Sequence, residues 1–189
     1  DVYRAAAAKF WGHEKAWDLN THEGKAMAAT RIIDRTYVKD SLGLCDSCWP
    51  LMFSHHTDDK VGDSTLEART FKAVTGNEID GDALLKFGET IFNQQRAILL
   101  REGRNPGKDD TIADFNFTDP VQSVFMNDEV LVPGEGDIVL SRKGHVLDRD
   151  VFNKMRDEFY QLRGWDPETG YPEKEKLHEL RLSDLVDVM

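Results

Sequence analysis

Apolar residues recur at helical spacing along most of this 189-residue chain. The strongest pattern lies between residues 80 and 102, where two adjacent apolar ridges, beginning at Leu84 and Leu85, predict a long helix with a broad buried face. The same spacing predicts further helices over residues 2–11, 23–42, 64–74, 148–163 and 172–180. A glycine follows most of these segments, as expected where helices end.

One part of the chain has the pattern of short strands instead. Residues 129–132 and 137–140 are rich in valine, leucine and isoleucine, and the turn-forming residues 133–136 separate them. Residues 105–118 are rich in Asp, Gly, Pro and Asn and are expected to form a loop. The sequence therefore predicts a mainly α, irregular multi-helix domain with one small β-hairpin.

Charge and hydropathy narrow the range of functions. The chain carries 24 Lys and Arg against 35 Asp and Glu, which gives a net charge of −11. Nucleic acids and anionic membranes select basic surfaces, so neither is expected as a partner. The sequence contains no apolar run of about 18 residues and no signal-peptide pattern. We therefore expect a cytoplasmic protein without a transmembrane helix.

The candidate chemistry lies in residues 40–48 (DSLGLCDSC), which hold both cysteines of the chain. The C-x-x-C spacing of Cys45 and Cys48 is half of a structural zinc site, and His55 and His56 could complete it, although the spacing fits no usual zinc finger. A redox dithiol normally opens a helix, whereas this pair follows one. The sequence is compatible with a metal or redox role for these cysteines and equally with two cysteines that have no such role.

Asp40 is the second candidate in this stretch. It lies near the predicted end of a helix, where the helix dipole disfavours a negative charge, so a functional explanation is called for. A carboxylate can accept two parallel hydrogen bonds from an amidine-like edge. Gly43 stands where a helix-ending glycine belongs. The other histidines and acidic pairs lie in polar surroundings, and no catalytic residue is predicted.

Several segments, in the same order, resemble the C-terminal region of tungsten-containing aldehyde ferredoxin oxidoreductases. They cover nearly all of the chain and are residues 23–26 (EGKA), 40–45 (DSLGLC), 88–93 (GETIFN), 101–105 (REGRN), 108–111 (KDDT), 157–166 (DEFYQLRGWD) and 176–180 (KLHEL). The resemblance implies that residues 1–189 are the C-terminal helical domain of a larger oxidoreductase whose first and middle domains lie outside this chain. The abrupt start at Asp1, within a helical pattern, is compatible with a piece of a longer polypeptide.

The resemblance also implies cofactors and partners. Such an enzyme carries tungsten (or molybdenum) on two pyranopterins beside a 4Fe–4S cluster, oxidises aldehydes to carboxylic acids and passes electrons to ferredoxin. Within this chain, Asp40 matches the residue that hydrogen-bonds a pterin edge, Gly43 and Leu44 match the backbone turn against that pterin, and Cys45 matches the last cysteine ligand of the cluster. The other cluster cysteines lie upstream in the family, so the isolated chain is expected to be inactive.

The sequence also departs from the family pattern. Cys48 has no counterpart in it, residues 113–116 (ADFN) replace a P-x-R motif, and the segment over residues 127–146 is not typical. These departures suggest a subgroup, and the tungsten subunit of a class II benzoyl-coenzyme A reductase is an alternative. A zinc-binding helical interaction module is an alternative from another class, and a purely structural helical domain is a third.

Overall fold

The computed structural model describes residues 1–45, 47–134, 136 and 138–186 of the chain. Those residues form a mainly α domain with one antiparallel hairpin. The helices are α1 (Val2–Trp11), α2 (Lys25–Ser41), α3 (Leu66–Thr75), α4 (Gly81–Arg101), α5 (Pro106–Asp109), α6 (Phe115–Thr118), α7 (Arg149–Arg163) and α8 (Lys174–Glu179), with 3₁₀ turns at Glu14–Trp17 and Ser183–Leu185. Across the described residues, no helix combines the length and the apolar character needed to cross a membrane.

The boundaries of the long helices follow from their flanking residues. The carboxylate of Asp80 accepts the backbone N–H of Ala83 at the start of α4, and Asp148 accepts two backbone N–H groups at the start of α7. The sequence predicts a helix over residues 23–42, whereas α2 begins after Gly24. The φ of Gly24 is 77°, and its contact with the His13 ring leaves no room for a side chain.

Helix α2 lies at the centre of the fold and packs against α1, α4 and α7. The helices α2 and α4 approach closely at Gly88, because this glycine faces the backbone carbonyl of Asp34. Small apolar clusters surround the crossing. One joins Val38 of α2 to Ala68 and Leu84, and another joins residues of α1 to the loop that follows α2. The packing therefore fixes the position of α2 from several sides.

The buried face of α4 differs from the predicted one. Phe87 and Ile98, on the predicted ridge that begins at Leu84, and Leu99, on the ridge that begins at Leu85, are exposed. The buried residues of α4 are Leu84, Gly88, Asn93, Arg96, Ala97 and Leu100. Polar side chains are buried on this face because their hydrogen bonds are satisfied there, as Asn93 is by Trp165 and Arg96 by Asp110. The periodicity of apolar residues does not detect such a face.

The hairpin is present, with strands β1 (Leu131–Pro133) and β2 (Val139–Ser141) paired so that Val132 lies opposite Leu140. It is shifted by one or two residues from the predicted arms. Glu135 and Asp137, which were part of the prediction, lie outside the described residues. The predicted loop over residues 105–118 contains the two short helices α5 and α6.

Candidate functional site

The C-terminal end of α2 is a left-handed turn centred on Gly43, whose φ is 67°. The N–H of Leu44 donates to the carbonyl of Lys39 at 2.9 Å, and the N–H of Gly43 donates to the carbonyl of Asp40 at 3.1 Å. These two bonds form a Schellman motif, which satisfies helix carbonyls that otherwise have no partner. The turn brings Asp40, Gly43, Leu44 and Cys45 together at one end of the helix.

Asp40 presents its carboxylate to solvent at this end, with the side chain 62% exposed. The ammonium group of Lys39, which is itself buried, lies 3.6 Å from that carboxylate and offsets the unfavourable helix dipole. Burial and the Asp40 charge raise the pKa of Tyr37, one turn earlier. The free acceptor oxygens of Asp40 are therefore held by a rigid helix and remain accessible to a donor.

Cys45 and Cys48 are both free and exposed. Hydrogen bonds from the backbone N–H and the hydroxyl of Ser47, with a smaller contribution from Cys48, lower the pKa of the Cys45 thiol. The carbonyl of Cys45 accepts the N–H groups of Cys48 and Trp49 at 3.1 and 3.0 Å. Cys45 is therefore suited to act as a thiolate ligand.

The described residues around these cysteines do not complete a metal site. Among the described residues, no group of three or more His, Cys, Asp or Glu side chains gathers in a way that could hold a metal ion. His55 and His56 consequently do not complete a four-ligand site with Cys45 and Cys48. Zinc in structural sites takes four such ligands, so the zinc-module alternative would need ligands beyond those that the described residues gather here.

The donor groups do fit one side of a larger cofactor site. An exposed carboxylate suits the amine edge of a pterin ring, and one exposed thiol suits one corner of an iron–sulfur cluster. A Cβ added at Gly43 would meet no atom within 4 Å, so the space in front of the turn is open. The residues at the end of α2 can therefore form one wall of a site whose other ligands come from elsewhere.

A buried ion pair locks α2 to α7. The guanidinium of Arg163, only 1% exposed, bonds to the Asp34 carboxylate and donates to the carbonyl of Thr30 at 2.9 Å. It also lies 4.7 Å from the ring centre of Phe92 and 5.3 Å from that of Phe159. Burial raises the pKa of Asp34, and the charge of Arg163 opposes that shift. The pair holds the middle of α2, whose last turn carries Asp40.

A second buried pair fixes α2 to α3. Arg35 contacts the Glu67 carboxylate at 2.7 Å, and both side chains are about nine-tenths buried. The guanidinium also lies 4.9 Å from the ring centre of Phe10 in α1. Three neighbouring elements thus hold α2 through charged groups, which restricts both its rotation and its translation.

The remaining family-like segments form the support around these pairs. The indole N–H of Trp165 donates to the buried Asn93 amide oxygen at 2.8 Å. Arg96 pairs with Asp110 at 2.6 Å and stacks over the Trp165 ring. Burial and the Asp110 carboxylate raise the pKa of Tyr160 to about 12. These segments therefore contribute buried contacts that support the packing around α2.

These supporting residues carry no local signal of their partners in the sequence. Asp34 and Arg163 are far apart in sequence, and nothing in local periodicity pairs them. The signal that could have found them was the arginine-containing segment at residues 157–166, because a buried Arg requires a buried acceptor.

A separate surface cavity of about 670 Å³ lies beside the hairpin segment. His22, Arg142 and His145 are among its lining residues. None of the four predicted site residues lines it. Because none of those residues lies at this cavity, the end of α2 remains the better candidate.

Comparison with known proteins gives a consistent set of relatives. The family model described as aldehyde ferredoxin oxidoreductase, domains 2 and 3, matches residues 2–182. A tungsten-containing aldehyde ferredoxin oxidoreductase of Pyrococcus horikoshii is 30% identical over 154 residues, which is 81% of this chain and 20% of the relative. The protein of the same name from Pyrococcus abyssi is 32% identical over 114 residues, or 60% of this chain and 16% of the relative. The chain thus spans about a fifth of the length of these relatives.

Proposed function

Because the chain belongs to the aldehyde ferredoxin oxidoreductase family, we propose that it forms part of an enzyme that oxidises aldehydes to carboxylic acids and passes the electrons to ferredoxin. The observation that carries this proposal is the turn at the end of α2, which displays a carboxylate and a thiol around an open glycine. The expected partners are the rest of the parent polypeptide and a ferredoxin. That the chain is the last domain of this polypeptide stays a prediction.

Asp40 and Cys45 have different roles in this proposal. Asp40 accepts hydrogen bonds from the edge of a pyranopterin that carries tungsten or molybdenum, and the backbone at Gly43 and Leu44 lies against that ring. Cys45 supplies one thiolate to a 4Fe–4S cluster. When bound, the two cofactors supply the oxidation chemistry and the path for electrons. The chain's own contribution is to hold the carboxylate and the thiolate at a fixed spacing on one rigid helix end.

The spacing depends on the support of α2. The buried pairs with Arg163 and Glu67 fix the helix, and the Schellman motif fixes the turn that follows it. An electron-transfer site needs such rigidity, because small displacements of a ligand change the distance and the electrostatic surroundings of the cluster.

The proposal is tested in the intact enzyme that contains this chain. Cys45→Ser should lose most cluster iron, and Asp40→Asn should lower the tungsten or molybdenum content while the fold is kept. Cys48→Ser is the matched control, since it removes the neighbouring thiol and should keep the cluster. Metal content and the electron paramagnetic resonance spectrum of the reduced protein are the readouts. A Cys45→Ser enzyme with a full, unchanged cluster would overturn the assignment.

The isolated chain provides a second test. We propose that it is inactive and binds no complete cofactor, because it offers one family thiolate where four irons require several. The chain is purified without oxygen, incubated with iron and sulfide, and examined for bound iron and charge-transfer absorbance. A stable four-iron cluster would contradict the proposal, and stoichiometric zinc that is lost in Cys48→Ser would favour a zinc-binding module instead.

A further inference from the structure

Cys45 and Cys48 are joined by a backbone hydrogen bond. The N–H of Cys48 donates to the carbonyl of Cys45 at 3.1 Å. Two residues three positions apart that share such a bond have Cα atoms within about 7 Å of each other. A disulfide needs Cα atoms about 4.4 to 6.8 Å apart, and this bond holds the two cysteines close to that range.

The two thiols are also accessible and have no competitor within the chain. Both side chains are exposed and neither is in a disulfide. They are the only two cysteines of the sequence, so no other intrachain disulfide can form. The side chains of Cys45 and Cys48 interact with each other and with Ser47. This adjacency is a property of the described fold and does not depend on any bound group.

We propose that Cys45 and Cys48 form a reversible disulfide with each other when the chain meets a low-molecular-weight disulfide such as oxidised glutathione. One cysteine thiolate attacks a sulfur of the small disulfide, forms a mixed disulfide and releases one small thiol. The second cysteine then attacks the protein sulfur of the mixed disulfide and releases the other small thiol. The S–S bond of the oxidant breaks, the Cys45–Cys48 bond forms, and two electrons with two protons pass to the released thiols.

The disulfide would make cofactor assembly dependent on redox state. A sulfur in a disulfide has no thiolate to give to a metal, so the oxidised chain cannot offer Cys45 as a ligand. This consequence rests on the proposed function of Cys45, whereas formation of the disulfide does not. Cys48, which has no place in the family pattern, acquires a role as the resolving cysteine.

The test uses the isolated chain at low concentration in glutathione buffers, without oxygen. After acid quenching and alkylation of free thiols, mass spectrometry counts chains that lack two hydrogens and chains that carry one or two glutathione groups. We expect the internal disulfide to exceed the doubly modified chain by at least about tenfold, because the second step is intramolecular. Cys45→Ser and Cys48→Ser should each stop at a single mixed disulfide.

A parallel measurement in concentrated urea separates the effect of the fold from that of sequence proximity. The ratio of internal disulfide to dithiol should be higher in the folded chain than in urea, because the backbone hydrogen bond between Cys48 and Cys45 already holds the two Cα atoms close in the folded chain. An equal or lower ratio in the folded chain overturns the proposal, as does a product dominated by disulfide-linked dimers or doubly modified chains. No cluster is present in this experiment, so its failure would leave the proposed function intact.

Discussion

Gly88 of α4 crosses α2 at the backbone carbonyl of Asp34, and a Cβ placed on Gly88 would lie 2.0 Å from that oxygen. The atoms in the way belong to the backbone of α2, so they cannot move aside as a flexible side chain would. The helix that carries Asp40 and precedes Cys45 therefore sits closer to α4 than any larger residue at position 88 would permit.

Gly88→Ala is expected to destabilise the chain by about 3 kcal/mol, because the methyl group forces the two helices apart. Gly81→Ala is the matched control in the same helix. A Cβ at Gly81 meets no atom within 4 Å, so this change should be neutral or stabilise by up to about 1 kcal/mol. Urea unfolding followed by circular dichroism measures both. Equal effects of the two substitutions would show that the close crossing does not limit stability.

Arg163→Met is expected to cost about 3 to 5 kcal/mol, because it leaves the Asp34 carboxylate buried without its partner. The double variant Arg163→Met with Asp34→Asn should cost less than the sum of the two single changes, since no unpaired charge remains. Lys143→Ala, which breaks an exposed pair with Glu129, should change stability by no more than about 0.5 kcal/mol. Additive effects at positions 34 and 163 would argue against the pairing.

Asp110 should give the chain a pH-dependent stability. Burial opposes ionisation of this carboxyl, but hydrogen bonds from Arg96 and Tyr160 outweigh it and hold the pKa of Asp110 below its usual 3.8. A group whose pKa is lower in the folded state stabilises the fold above its unfolded pKa. That stabilisation is lost as the pH falls through the folded pKa. The contribution of Asp110 is therefore complete near neutral pH and is lost at pH values below 3.8.

Asp110→Asn is the corresponding experiment. It should cost about 3 kcal/mol at about pH 6, where it leaves Arg96 without a buried anion, and progressively less at pH values below 3.8. Asp114→Asn, at a side chain that is 83% exposed, is the control and should show no such convergence with the wild type. Urea midpoints measured from about pH 2.5 to pH 7 test this, and a constant difference across that range would contradict it.

Gly43 and Gly76 both end helices with positive φ, at 67° and 74°, and neither would bring a Cβ into contact with other atoms. Alanine at either position should therefore cost the isolated chain about 1 to 2 kcal/mol through backbone strain alone. In the intact enzyme only Gly43→Ala should also reduce the pterin-bound metal, because only that turn is proposed to face the cofactor. If Gly76→Ala also lost metal, the result would contradict the proposal that only the turn at Gly43 faces the cofactor.

Sequence patterns predicted the helices that have both a cap and an apolar stripe. Residues 148–163 are such a case, because Asp148 begins α7 and Gly164 ends it with a φ of 64°. The end of α2 was predicted for the same reason, since Gly43 is a local signal. Short helices without an apolar stripe, such as α5 and α6, were not predicted because four residues give no usable period.

The candidate site was predictable only in its local part. Asp40, Gly43, Leu44 and Cys45 are neighbours in sequence, and the helix end suffices to bring them together. The groups that hold the helix could not be predicted, because the Asp34–Arg163 and Asn93–Trp165 contacts join segments 129 and 72 residues apart. Their polar character also hides them from any search for apolar faces.

The long separation between Asp34 and Arg163 sets an order of events during synthesis. The ribosome completes α2 well before it reaches α7. The Asp34–Arg163 ion pair therefore cannot form until more than a hundred further residues have been added. The helix end with Asp40 and Cys45 can form early from local hydrogen bonds, but the position of α2 is fixed only when α7 packs against it. A cofactor that depends on this position is therefore expected to bind after translation of this region has finished.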